Sequence, residues 1–316
     1  MEKRITGRII KGVGGLYTVA LDADAQLALS EIKCRARGAL RRGVGAPLAG
    51  DRVSVGYDPD KLSKKGEESA DFVIEEVLER KNSLIRPPLA NLDYLFVTIA
   101  AASPNPVLFT VDKLFSICVH NGIEPIAVIS KSELSRDYAD EIAEIYRKAG
   151  FEAIITSAET GEGIDGLYAY IKNLPEGSVS AFSGASGVGK STLLNSLFPT
   201  LELSTSSVSK KTERGRHTTR ETVLFSVGDD KKVYIADTPG FTMLDFEQFD
   251  FFSVEDLPDT MREFDKYIGL CKYKKCSHTK EEGCAIIKAL EDGEISESRH
   301  KSYVALFDIL KAKKRW

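Results

Sequence analysis

Gly184-Ala185-Ser186-Gly187-Val188-Gly189-Lys190-Ser191 satisfies the pattern G-x-x-x-x-G-K-[ST] at every fixed position. It follows an apolar run at 178–182 and opens a helical segment at 192–197, the strand–loop–helix context the pattern requires. The glycines let backbone N–H groups turn inward around phosphate oxygens, and the following helix N-terminus adds positive potential. Lys190 is expected to reach the β- and γ-phosphates and the Ser191 hydroxyl to bind Mg²⁺, with Thr192 as the next residue of the cradle.

On either side of this stretch, short apolar runs alternate with helical periodicity. Strands are predicted at 94–101, 126–129, 153–156, 178–182 and 232–237, and helices at 107–119, 138–149 and 164–173. That alternation implies a parallel α/β sheet with right-handed crossovers. Downstream of the cradle, Asp237-Thr238-Pro239-Gly240 closes the apolar strand Val233-Tyr234-Ile235-Ala236. A carboxylate at that strand end can hold Mg²⁺ through water, and the Gly240 N–H can sense a γ-phosphate. Between them the basic, Thr-rich segment 210–220 is the natural switch loop, with Thr218 or Thr219 supplying a hydroxyl to the ion.

The two ends of the chain read differently. The first seventy or so residues hold short strands with Gly punctuation, at 8–10, 17–21, 27–35 and 51–55, which predicts a small barrel or sandwich. A polar loop is expected at 61–70, and Arg86-Pro87-Pro88 reads as a stiff linker. Near the other end, Cys271, Cys276, His278 and Cys284 place three thiolates and one imidazole within fourteen residues. Four such ligands fill a tetrahedral Zn²⁺ of the structural kind. The remaining cysteines, Cys34 and Cys118, sit in apolar surroundings and read as core residues, and His120 and His300 receive no role.

Composition sets the frame. The 316 residues are 42% hydrophobic and 28% charged, with a net charge of −4. Residues 1–50 carry nine Lys/Arg against four Asp/Glu, and 266–316 carry twelve against seven, so the middle holds −14. Two basic ends around an acidic centre suit a protein that grips a polyanion with its flanks. An odd cysteine count argues against a disulfide framework, and no apolar leader or membrane-length run is present, so a cytoplasmic chain is expected.

These motifs, in this order, resemble those of the RsgA family (YjeQ/YloQ-type), circularly permuted GTPases that assist maturation of the small ribosomal subunit. The likeness covers nearly the whole chain. In a Ras-like GTPase the base-specificity motif follows the P-loop. Here its counterpart Ser130-Lys131-Ser132-Glu133 precedes it, as does the second base-contacting motif, Thr156-Ser157-Ala158. Ser130 and Glu133 depart from the usual Asn/Thr-Lys-x-Asp. A Glu carboxylate can still accept from guanine N1–H and the exocyclic amine, though it is longer by one methylene. Phe241 follows Gly240 where Ras places its water-orienting Gln, so slow intrinsic turnover is expected, and the resemblance suggests His217 as substitute.

The resemblance further implies an N-terminal OB-fold barrel over 1–72, with Gly7, Arg35, Gly38, Leu40, Gly50 and Asp51 in family positions. A permuted P-loop GTPase domain over 73–245 and a mostly helical zinc-binding domain over 246–316 follow. Lys33, Arg35, Arg37, Arg41 and Arg42 suit RNA backbone contact, the only barrel aromatics at hand being Tyr17 and Tyr57, and the tail from Lys311 adds a second candidate contact. The implied ligands are GTP/GDP, Mg²⁺ and one structural Zn²⁺. The implied partners are the small ribosomal subunit and its rRNA, bound by a monomer with no membrane involved. An RNA-binding module with little turnover, an ATP-dependent enzyme and a nucleotide-gated scaffold remain open from the residues alone.

Overall fold

The computed structural model describes residues 3–23, 27, 29–41, 46–61, 72–85, 88–199, 222–228, 233–237 and 253–313. In chain order its strands are β1 (Lys3–Val13), β2 (Leu16–Leu21), β3 (Glu31–Ala36), β4 (Arg52–Tyr57), β5 (Phe72–Val77), β6 (Ser83–Ile85), β7 (Pro88–Ala90), β8 (Tyr94–Ala100), β9 (Glu124–Ser130), β10 (Ala153–Ile155), β11 (Val179–Gly184), β12 (Val223–Val227) and β13 (Val233–Asp237). The helices are α1 (Leu108–His120), α2 (Arg136–Lys148), α3 (Ile164–Lys172), α4 (Lys190–Leu197), α5 (Ala285–Glu291) and α6 (Glu297–Lys313). They form two compact units, one of residues 1–93, 174–181 and 204–241, the other of 94–173, 182–203 and 242–316.

In the first unit β1 pairs antiparallel with β2 and β4, β2 with β3, and β4 with β5, while β3 lies parallel to β5. This closes a five-stranded barrel in the order 1-2-3-5-4 and back to 1, the OB-fold connectivity. Register shifts that leave Ile10 of β1 extra against β2 and Glu75 of β5 extra against Ser54 and Val55 of β4 are the bulges that bend the strands round the closure. Alternation sorts the side chains: Ile32, Cys34 and Ala36 of β3 face in, and Glu31, Lys33 and Arg35 face out.

The sequence missed β5, whose buried Phe72 and Ile74 complete this core. It also started β3 early: Leu27 and Leu29 pack against the barrel from outside the strand. Tyr57 is buried against Phe72 with ring centroids 5.8 Å apart, so it offers no stacking surface. The stretch 62–71, which holds most of the expected polar loop, lies outside the described residues.

The turn before β4 is locked. Gly50 adopts φ +90°, and a Cβ there would stand 2.0 Å from the Ala90 carbonyl oxygen, so no side chain fits. Asp51 next to it is fully buried and accepts from the Leu48 N–H and the Arg80 Nε–H, each at 2.7 Å. Instead of a stiff linker near Pro88, β6 and β7 make an antiparallel ribbon. Pro88 opens β7, the strand position at which a missing N–H is tolerated, while residues 86 and 87 lie outside the described set. The first half of β11 runs parallel to β13, and β12, another strand the sequence did not reveal, pairs antiparallel with β13.

In the second unit β8, β9 and β10 form a parallel sheet with β9 central. Phe182 in the second half of β11 stacks on Phe96 of β8 at 4.8 Å. No helix among the described residues is long and apolar enough to cross a membrane. The C-terminal segment packs Leu257, Met261, Phe264, Ile286, Tyr303 and Leu306 into a core of its own. It is joined to α1 by a buried ionic cluster, in which Arg299 of α6 donates to Asp112 at 2.8 Å and to Glu263 at 2.7 Å. All three side chains are at most 3% exposed. Tyr146 donates its hydroxyl to Asp112 at 3.1 Å, and the guanidinium lies 5.5 Å over the Phe151 ring.

Burial alone would lower the Arg299 pKa, but the two carboxylates outweigh it and hold the guanidinium charged. Such a cluster contributes less by forming than it costs when broken. Arg299→Leu therefore strands two buried carboxylates and should destabilise this unit by about 3–5 kcal/mol. The midpoint of denaturant unfolding followed by circular dichroism reads this, and a loss below about 1 kcal/mol, the scale of an exposed pair, would show that the cluster is not closed.

Candidate functional site

β11 is buried along its whole length and ends at Gly184, where the chain turns into the cradle. A Cβ at Gly184 would lie 2.8 Å from the Thr98 carbonyl oxygen, so the glycine is a condition of close strand–loop packing. Gly187 and Gly189 both adopt positive φ, as the inward turn of backbone N–H groups demands. Ala185, Ser186 and Gly187 are exposed, while Val188 is buried and pins the loop from beneath. Helix α4 begins at Lys190 with Ser191 and Thr192 exposed in its first turn, and no acidic side chain there opposes an anion.

The base loops sit directly on this cradle. Ser130 is buried, and its hydroxyl donates to the Val188 carbonyl at 2.7 Å. That bond accounts for the departure at Ser130, because a short hydroxyl suffices to tie strand end to loop. Lys131, in the left-handed region at φ +57°, donates its ammonium to the carbonyls of Gly187, at 2.8 Å, and Ser103. Its stem thereby lies alongside the loop, with Cε within 3.6 Å of where a Cβ on Gly189 would stand. Ser132 is buried, Glu133 is exposed on the following 3-10 turn, and Ser157, fully buried, leads into the half-buried Ala158.

The rest of the expected site is only partly placed. Asp237 ends β13, but its side chain lies outside the description, as do His217, Thr218, Thr219 and Gly240.

Cys271, Cys276, His278 and Cys284 converge, their ligand atoms all within 4.8 Å of one another. Cys271 Sγ and Cys284 Sγ are 3.8 Å apart, and each lies 3.5 Å from His278 Nδ1. With Zn–S of about 2.3 Å and Zn–N of about 2.05 Å, a tetrahedral ion demands edges of about 3.8 and 3.5 Å. The donors present therefore fit zinc. Around them, His300 Nε2 hydrogen-bonds the His278 carbonyl at 2.9 Å and Tyr303 donates to the Ser277 carbonyl at 2.8 Å. Partial burial would raise the Glu281 carboxyl, but hydrogen bonds from Ser277 and neighbouring backbone hold it down at about 2. No motif points to the His300 and Tyr303 contacts, since both act on backbone carbonyls; their i, i+3 spacing on α6 is the one available hint.

A phosphate cradle that is preceded, not followed, by its two base loops, with an OB barrel before and a Cys₃His cluster after, defines a circularly permuted P-loop GTPase. The chain belongs to the RsgA GTPase family: the family's RsgA GTPase domain matches residues 77–247 and its RsgA N-terminal domain residues 6–63. It is 36% identical to the small ribosomal subunit biogenesis GTPase RsgA of Caldanaerobacter subterraneus subsp. tengcongensis, over 99% of this chain and 98% of that one. It is similar to the crystal structure of YjeQ from Thermotoga maritima (TM-score 0.76, 32% identity, 98% and 99% of the two chains). The structure of YloQ, described as a circularly permuted GTPase, matches with a TM-score of 0.75 and 31% identity over 98% and 96%.

Without metal, burial and then the adjacent Cys284 thiol push the Cys276 thiol up to about 12, so zinc must displace protons to bind. Zinc affinity should accordingly rise from pH 6 to pH 8. Natively purified protein should carry about one zinc per chain and the Cys284→Ser variant none, read by metal analysis. Wild-type protein free of zinc, or affinity flat with pH, would contradict the assignment.

Proposed function

We propose that this chain binds GTP at the 184–192 cradle, docks on the small ribosomal subunit in the GTP state, and leaves after hydrolysis. The observation that carries the reading is the hydrogen-bonded seating of Ser130 and Lys131 on Val188 and Gly187, which joins base loop and phosphate loop into one nucleotide site in permuted order. Lys190 holds the β- and γ-phosphates, and Ser191 with Asp237 holds the ion. Mg²⁺, when bound, neutralises charge developing between those phosphates. Lys131 flanks the base, and Glu133 and Ala158 read its edge. Thr218 or Thr219 would supply a hydroxyl to the ion, Gly240 would contact the γ-phosphate, and His217 would position the attacking water. The three divisions 1–72, 73–245 and 246–316 describe the working parts, and the protein acts as a cytoplasmic monomer.

Two surfaces support an rRNA partner. Lys33, Arg35 and Arg37 stand exposed along the barrel's outer face. At the zinc loop, Leu270 is 70% and Tyr273 49% exposed among the exposed lysines Lys272, Lys274 and Lys275. Basic side chains beside an aromatic suit backbone contact with a stacked base.

Phosphate release from GTP and from ATP, each with and without purified small subunits, tests the whole reading. Slow GTP turnover that rises steeply with subunits, absent with ATP, is expected. Lys190→Ala should reduce the stimulated kcat/KM by at least about a hundredfold. GTP turnover indifferent to subunits would remove the ribosome from the mechanism, and equal use of ATP would remove the guanine site.

A further inference from the structure

We propose that Glu162 is a positioning residue for guanine recognition, strapping the turn that carries Glu133 to the loop that carries Ala158. This rests on the guanine reading of those loops given above. One Glu162 carboxylate oxygen accepts from the Ser132 hydroxyl at 3.0 Å, and the other accepts from the Arg136 guanidinium. Arg136 is itself held by Asp140 at 3.0 Å, one turn along α2. The loop is tightly closed on Glu162: the Ser157 N–H donates to the Glu162 carbonyl at 2.9 Å, and the Gly161 N–H to the Ser157 carbonyl at 2.9 Å. Glu162 thus reaches both base-contacting segments at once, through its backbone on one side and its carboxylate on the other.

Few other contacts replace it. Among the described residues, the other hydrogen bond joining turn and loop is the longer Ser132 N–H to Thr156 carbonyl contact at 3.3 Å. Ser132 is 1% exposed, so its hydroxyl has no ready exchange with water. Hydrogen bonds from Arg136 and then Ser132 lower the Glu162 pKa, consistent with a carboxylate that works ionised.

The need for a strap follows from the residue it serves. A Glu at 133 has one more rotatable bond than the usual Asp and is less rigidly placed. Guanine presents two donors side by side, whereas adenine presents an acceptor at N1, so discrimination depends on alignment more than on attraction. Fixing Ser132, the residue before Glu133, supplies in the turn the order that the longer side chain gives up.

Equilibrium binding of GTP and ATP to the full chain tests this, with Glu162→Ala, Glu162→Gln, Ser132→Ala and the Ser132→Ala/Glu162→Ala pair. Glu162→Ala should weaken GTP about two- to five-fold, the scale of an exposed charge-assisted contact, with ATP binding and kcat at saturating GTP unchanged. Glu162→Gln keeps an acceptor for Ser132 and should recover part of the loss. The double variant should be no weaker than Glu162→Ala alone, because the two residues share one contact. An unchanged GTP-to-ATP ratio in Glu162→Ala overturns the proposal while leaving the guanine site intact. Parallel weakening of both nucleotides also overturns it, reducing Glu162 to a general structural tie. A wild-type chain with no preference for GTP would overturn both this proposal and the guanine reading beneath it.

Discussion

The hydrogen bond from Ser130 to the Val188 carbonyl, with the Lys131 ammonium on the carbonyl of Gly187, is the constraint on which the nucleotide site hangs. The partners are 58 and 56 positions apart in the chain, and no short covalent connection brings them together. In a permuted order, the base loops are made first and the phosphate loop arrives later, so tertiary contacts must fix their register. The buried Ser130 hydroxyl does so at low entropic cost, having one short rotor, while the Lys131 ammonium gains charge-assisted hydrogen bonds to two carbonyls that offset the freedom its long stem gives up. The packing beneath agrees: Phe182 on Phe96 and the bare Cα of Gly184 against Thr98 bring β11 close enough to β8 for the loops to meet.

The C-terminal segment is held by two devices of different chemistry. One is the Cys₃His cluster, whose donors stand at tetrahedral spacing and whose loop backbone is gripped from α6 by His300 and Tyr303. Such outer contacts fix the orientation of the clustered side chains, so the helix shapes the Cys₃His cluster although it contributes none of its four residues. The other is the Arg299 cluster, which fastens the same helix to Asp112 of α1. His300 and Tyr303 of α6 therefore serve the loop of the Cys₃His cluster, and Arg299 serves the α/β core. In the barrel a comparable role falls to Asp51 and Arg80, which close the turn that Gly50 makes possible.

Much of this was legible in the residues. The cradle announces itself by pattern, the parallel strands by their unbroken apolar runs, and the Cys₃His cluster by spacing. What escaped was structure whose signal is not local. β5 is six residues whose alternation is plain once Phe72 and Ile74 are known to face in, but it follows a charged tract that suggests a loop. β12 has five residues, of which Leu224 and Val227 are buried, a pattern too short to weigh, and β7 begins with a proline that reads as a breaker. Ser130 looked like a defect in a motif until its buried partner supplied the reason. Glu162 and His300 carry no motif at all, because their meaning lies in which carbonyl or hydroxyl they meet across the fold.

The Arg299 cluster also bears on how the chain comes off its own ribosome. Arg299 and Asp112 are 187 positions apart, so α1 is synthesised long before its counter-charge exists. Until α6 clears the exit tunnel, Asp112 cannot be buried in its final form without stranding a carboxylate in an apolar setting. The N-terminal barrel, by contrast, draws its closing pairs from β1 to β5 and can condense early. Vectorial synthesis thus separates the two: the pairs that close the barrel lie within the first 77 residues, whereas the counter-charge of Asp112 arrives 187 positions after it.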